Sequence, residues 1–136
     1  RTNTMENKFE ALRELQKSAY CPYSNFQVAA ILIDKNNQEY KGVNVENASY
    51  GGTICAERSS IVSAVSQGIN KEDLREIHLI GGTAEDFVMP CGLCRQFMSE
   101  FMHKGFPVVV YRADGSSKVI EMGELLPYSF SGDDIK

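Results

Sequence analysis

Apolar residues recur at helical spacing through Phe9, Leu12, Leu15 and Ala19, and the pattern stops at Pro22. Asn3 with Glu6 three positions on resembles a capping pair, so the chain is expected to open with an amphipathic helix. Phe26 to Ile33 is rich in Val, Ile and Leu, Asp34 to Gln38 is polar and turn-like, and Tyr40 to Val45 alternates, which predicts a hairpin. A second helix is expected from a Thr53 cap, with Ile61, Val62 and Val65 on its apolar side and Gly68 ending it. Ile77 to Ile80 reads as a strand, Cys91 to Met102 as a third helix closing at Gly105, and Pro107 to Tyr111 as a Val-rich strand.

Alternating strands and helices imply a mostly parallel sheet with helices on its faces, and the initial hairpin adds an antiparallel edge. Only Arg112 to Ser117, with the turn-forming pair Asp114-Gly115, precedes a fifth strand at Lys118 to Glu121. That link is too short for a helical crossover, so the last two strands should be antiparallel. The expected fold is a three-layer α/β/α sandwich around a mixed five-stranded sheet, followed by an apolar tail from Leu125 to Phe130.

The length of 136 residues and the 43% apolar share suit one domain with its own core, read as 1–136, with 1–4 set aside as a terminal remnant. A net charge of -4, from 14 basic and 18 acidic residues, provides no field that would gather a polyanion or an acidic membrane surface. Neither nucleic acid nor membrane is therefore expected as a partner. Without an apolar run near the ~20 residues of a spanning helix or an export signal, the four cysteines are expected to stay reduced in the cytoplasm.

Reduced cysteines turn attention to metal chemistry. Cys91 and Cys94 in PCGLC stand three apart at a helix start, so both sulfurs leave one turn toward one point, and Pro90 suits the entry to that helix. Cys55 holds the corresponding place on the preceding helix, and the free amides of both helix starts favour thiolates. Three thiolates suit one zinc ion per chain; since no fourth Cys or His stands at ligand spacing, one tetrahedral position is left for water, as a catalytic site requires. Glu57, two residues beyond Cys55, can face that position without being a ligand and exchange a proton there. Cys21, His78 and His103 are not expected to bind zinc.

The CAE triplet followed by PCGLC matches the zinc deaminase signature, with cysteine at the position that histidine takes in other members. Through CPYSNFQVAA, NVENASY, ICAERS, PCGLCRQF and GELLPYSF, spanning Tyr20 to Phe130, the chain resembles the small, free-nucleoside cytidine deaminases. The resemblance implies hydrolysis of the 4-amino group of cytidine or deoxycytidine in pyrimidine salvage. Water adds at C4, while Glu57 protonates N3 and carries a proton to the departing ammonia. It further implies that Arg58 hydrogen-bonds the ligand sulfurs, offsetting the charge of three thiolates. Asn44 and Glu46, two apart on one side of a strand end, are assigned to the ribose hydroxyls. Phe26 and Phe130 are assigned to the flanks of the base, Phe130 from a neighbouring subunit. Tyr50 joins the substrate-binding set, and the Ala56 amide is assigned to the pyrimidine O2. The implied assembly is a homotetramer with sites at its subunit interfaces. Ala29 departs from the family, which usually has glycine there, and is expected to alter packing behind the base.

Three other activities share parts of this pattern. A polynucleotide deaminase would need a basic groove and places a helix between the last two strands. A deaminase of aminated nucleoside analogues shares the whole metal motif. A zinc-stabilised module without activity would keep the cysteines but have no use for Glu57.

Overall fold

The computed structural model describes residues 6–83 and 85–136. The Asn3 half of the expected cap and the remnant assigned to 1–4 therefore lie outside the described residues. Helix α1 spans Phe9–Gln16, and its first amide is capped by Asn7 Oδ1, which accepts from Phe9 N at 2.9 Å. It ends earlier than the Ala19 expected from spacing. Tyr20 leaves the helical path to bridge Val45, donating its amide to Asn44 O and accepting from Glu46 N.

Strands β1 (Val28–Asp34) and β2 (Glu39–Val43) form the expected hairpin, which is followed by helix α2 (Ala56–Ser66) and strand β3 (Leu74–Gly81). Helix α3 (Gly92–Phe101), strands β4 (Pro107–Tyr111) and β5 (Ser117–Glu121), and the short helix α4 (Met122–Leu125) complete the main elements. The sheet order is β2-β1-β3-β4-β5, so β2 and β5 are its edges.

The expectation of a mostly parallel sheet is corrected: β3 and β4 form the parallel pair, while β1 is antiparallel to both β2 and β3. The hairpin's first strand is inserted into the sheet interior, and the α2 connection passes over it to reach β3. Buried on both faces, β1 carries the continuous apolar run VAAILI before Asp34 rather than an alternating one. The closing pair β4 and β5 is antiparallel, as the short link required, and Gly115 takes φ +90 in the turn.

Two cores lie on opposite faces of this sheet. On one, Ala29, Ile31, Ile33, Ile80, Val109 and Tyr111 pack against Leu12 of α1. On the other, Ala30, Leu32, Ile77, Leu79, Val108 and Val110 pack against Ala56, Ile61 and Ala64 of α2 and Cys94 and Met98 of α3. The three-layer α/β/α arrangement follows. Ala29 falls on the α1 side, so its methyl group fills the core opposite the cysteine helices.

Two expectations for α2 are corrected. Its N-cap is Cys55, because Thr53 is used elsewhere: Thr53 Oγ1 accepts from Asn47 N at 3.3 Å and its carbonyl accepts from Arg58. Its buried face is Ala56, Glu57, Ser60, Ile61 and Ala64, whereas Val62 and Val65 are exposed. Gly42 dictates that face. A Cβ there would stand 2.4 Å from both Ala56 O and Ser60 N, so the helix backbone lies directly on β2.

Candidate metal centre

Cys55 is the N-cap of α2, Cys91 the N-cap of α3, and Cys94 lies within the first turn of α3. Their sulfurs all lie within 4.8 Å of one another. Zinc bound by sulfur at about 2.3 Å would need tetrahedral edges of roughly 3.8 Å, so this donor set fits the ion with little rearrangement. All four cysteines are free thiols. Both helices point their amide ends, the positive ends of their dipoles, at the cluster.

The electrostatics of the sulfurs favour a cation. Hydrogen bonding from Cys94 and from Arg58 lowers the Cys55 thiol to about 5 against the opposing effect of burial. Cys94 is pushed up by its contact with the Cys55 sulfur, by burial and by the nearby charge of Glu57. The protein alone thus stabilises one thiolate and resists a second beside it; a bound dication removes that conflict.

Arg58 provides the remaining positive charge. Its Nη2 donates to Thr53 O at 3.1 Å and to Cys55 Sγ at 3.6 Å, in keeping with the expected sulfur contact. Its Nε is a buried donor that finds no partner among the described residues. Glu57 is buried at 5% exposure, in the first turn of α2. Burial, reinforced by the charge of Cys55, pushes its carboxyl up to about 7. Such a group can hold or release a proton near neutral pH.

The expected substrate-binding residues fall into two groups. Val45 bridges Ile54, the residue before Cys55, which brings Asn44 and Glu46 alongside the chain entering the centre. Asn44 is buried; its Nδ2 donates to Phe26 O at 2.7 Å and its Oδ1 accepts from Val28 N at 2.9 Å. One N–H and one lone pair of that amide remain for a ligand. Glu46 accepts from the Tyr23 amide at 3.0 Å and from the amide and hydroxyl of Ser24, bonds that hold its carboxyl below the usual range. A cleft of about 350 Å³ is lined by Tyr23, Ser24, Glu46, Asn47, Tyr50 and Thr53. Phe130 belongs to the second group: it lies outside that cleft, on the C-terminal segment, where its carbonyl accepts from Gln96 Nε2 at 3.0 Å and its side chain is exposed.

Arg95 and Gln96 follow Cys94 along α3. Arg95 Nε donates to Pro90 O at 2.7 Å and its Nη1 to Leu125 O at 2.9 Å, so it ties the approach to Cys91 to the end of α4. Its position one residue past Cys94 was the available signal, but its partners were not inferable from spacing.

Residues 2–111 match the family model described as the cytidine and deoxycytidylate deaminase zinc-binding region. The cytidine deaminase of Mycoplasma genitalium is 41% identical over 119 residues, 88% of this chain and 89% of that protein. That of Halalkalibacterium halodurans is 39% identical over 122 residues, 90% of each chain. The crystal structure of cytidine deaminase from Burkholderia pseudomallei is similar at a TM-score of 0.87 and 38% identity, over 93% of this chain and 100% of that one.

Proposed function

The chain belongs to the cytidine and deoxycytidylate deaminase family, and from that premise we propose that it hydrolyses cytidine and deoxycytidine to uridine and deoxyuridine with release of ammonia. The observation that carries this reading is the convergence of Cys55, Cys91 and Cys94 at two helix starts beside a buried Glu57. Cys55, Cys91 and Cys94 would hold one zinc ion, which when bound supplies the Lewis acidity that makes water a nucleophile near neutral pH.

The protein's own groups do the rest. Glu57 takes a proton from the attacking water, delivers one to N3 of the pyrimidine, and carries another to the amino nitrogen, which leaves as ammonia. Water supplies the oxygen that becomes the 4-carbonyl, so the reaction needs no other co-reactant. Arg58 balances the sulfur charge. The Ala56 amide, in the first turn of α2 directly after its Cys55 N-cap, receives the pyrimidine O2. Phe26 and Tyr50 line the substrate, and the remaining N–H of Asn44, with the carboxylate of Glu46, receives the ribose hydroxyls.

The finer assignments belong to the same reading. The chain acts as one domain over 1–136, in the cytoplasm, as a homotetramer in which Phe130 of one subunit closes a neighbour's site. Exposed Phe26, Tyr50, Val62, Val65 and Phe130 supply apolar surface for such contacts. Its substrate is a free nucleoside; the direct turn from β4 to β5 and the net charge of -4 weigh against a polynucleotide.

The test is purified protein with cytidine, followed by the ultraviolet change and by ammonia release, with metal analysis and light scattering on the same sample. Turnover on single-stranded DNA or on aminated nucleoside analogues but not on cytidine would overturn the substrate assignment.

A further inference from the structure

Gln16, the last residue of α1, belongs to the layer opposite the cysteines, yet its amide reaches the segment that carries Phe26. It is 3% exposed. Its Nε2 donates to Gln27 O at 2.9 Å and to Gly82 O at 3.0 Å, while its Oε1 accepts from Arg13 Nη1 at 2.8 Å. The Gly82 amide also donates to Gln27 O, at 2.7 Å, so Gln16 closes a junction between the entry to β1 and the exit from β3.

Phe26 is seated on that junction. Gly82 takes φ +59, and a Cβ there would stand 2.5 Å from Phe26 Cε1; a Cβ on Gly81 would stand 3.2 Å from Phe26 Cζ. The ring therefore rests on bare backbone whose path is held by the two Gln16 donor bonds, together with the Gly82 amide on Gln27 O and a longer contact of 3.4 Å from Arg13 Nη1 to Gly82 O. From the other side Asn44 holds Phe26 O and the Val28 amide. A buried amide is costly unless its donors are satisfied, and here both N–H groups are spent on the two strands that cradle one aromatic ring.

We propose that Gln16 is a positioning residue for the pyrimidine, acting through Phe26; this rests on the reading of Phe26 as a wall of the base pocket. Removing its donors frees the Gly81-Gly82 and Gln27 backbone, lets the ring drift, and weakens the grip on the base without touching Glu57 or the sulfurs. Such a loss is felt alike by bound substrate and transition state, so it enters KM and not kcat.

The test compares Gln16→Met, which fills the space without donors, with the parent protein. The Met variant is expected to raise KM for cytidine about tenfold with kcat within about twofold and zinc content unchanged. In a Phe26→Ala background the same Met substitution should have almost no further effect. Amide exchange at Gly82 should quicken in Gln16→Met. Should that variant not fold, Gln16→Asn, which withdraws the same amide by one methylene, takes its place. An unchanged KM, a fall confined to kcat, an undiminished effect beside Phe26→Ala, or unaltered exchange would each overturn the proposal. A parent protein without turnover on cytidine would count against the proposed activity alone, because the exchange measurement still reads the Gln16 contact.

Discussion

Gly42 of β2 lies against the Ala56 carbonyl of α2 so closely that a single added methyl carbon would sit 2.4 Å from it. The contact is backbone on backbone, so neither side can yield by changing rotamer. Gly42→Ala must therefore lift the first turn of α2, and Cys55 and Glu57 with it. Destabilisation of about 1–3 kcal/mol is expected, together with reduced zinc occupancy. Thermal unfolding and metal analysis of the variant check both, and a fully metallated, equally stable variant would refute the coupling.

Glu57→Gln keeps the size of a buried side chain and leaves the sulfurs untouched. On the proposed mechanism it removes the proton-exchanging group, so kcat should fall by roughly 10²–10⁴ or more while zinc content and unfolding temperature stay near those of the parent. Steady-state kinetics beside metal analysis distinguishes this from simple loss of the ion.

Withdrawal of the metal leaves the Cys55 and Cys94 sulfurs, on different helices, with no cation between them. A strong chelator should lower the unfolding temperature as well as abolish turnover, and added zinc should restore both. Calorimetry before and after chelation is the measurement.

On the α1 face, Tyr111 contacts His78 Nδ1 at 2.8 Å and Glu76 contacts His78 Nε2 at 2.5 Å, all three side chains buried. Burial alone would raise the Glu76 carboxyl, but the bond to His78 and the charge of Arg75 outweigh it and lower the pKa. A lowered carboxyl adds stability that is complete above its unfolded pKa and is lost as pH falls through the folded one, on the acid side of the ordinary carboxylate range. Glu76→Gln should therefore flatten the acid limb of the stability curve. Denaturant midpoints between pH 3 and 7 would show it.

Arg95 donates to two carbonyls, Pro90 O and Leu125 O, and so links the approach to α3 with the end of α4. Arg95→Ala should loosen the C-terminal segment and cost about 1–3 kcal/mol. Faster proteolysis after Leu125 and a lowered unfolding temperature are the expected signs.

The grouping of the cysteines was legible because much of it is local: CAE and PCGLC place the sulfurs and Glu57 within the first turns of two helices, where spacing sets direction. The same holds for β4, whose expected bounds of Pro107 to Tyr111 match the structure, and for the short link that makes β5 antiparallel. Insertion of β1 between β2 and β3 was not legible, because an apolar run buried on both faces does not declare the direction of its neighbours. Val62 and Val65 misled for a related reason: a helix that rests on Gly42 buries its small residues, so of the expected apolar side Ile61 is buried while Val62 and Val65 are not. Gln16 and Arg95 bind carbonyls 66 and 30 positions away, contacts that no window along the chain contains.

The two rims of the sheet are each five residues long and carry charge, Glu39 and Lys41 on β2, Lys118 and Glu121 on β5. Strand addition there would bury ionised groups beside one another, which discourages fibrillar growth. Copies of this chain are thereby steered to meet through helices and loops, and concentrated solutions should form discrete particles in preference to extended ribbons.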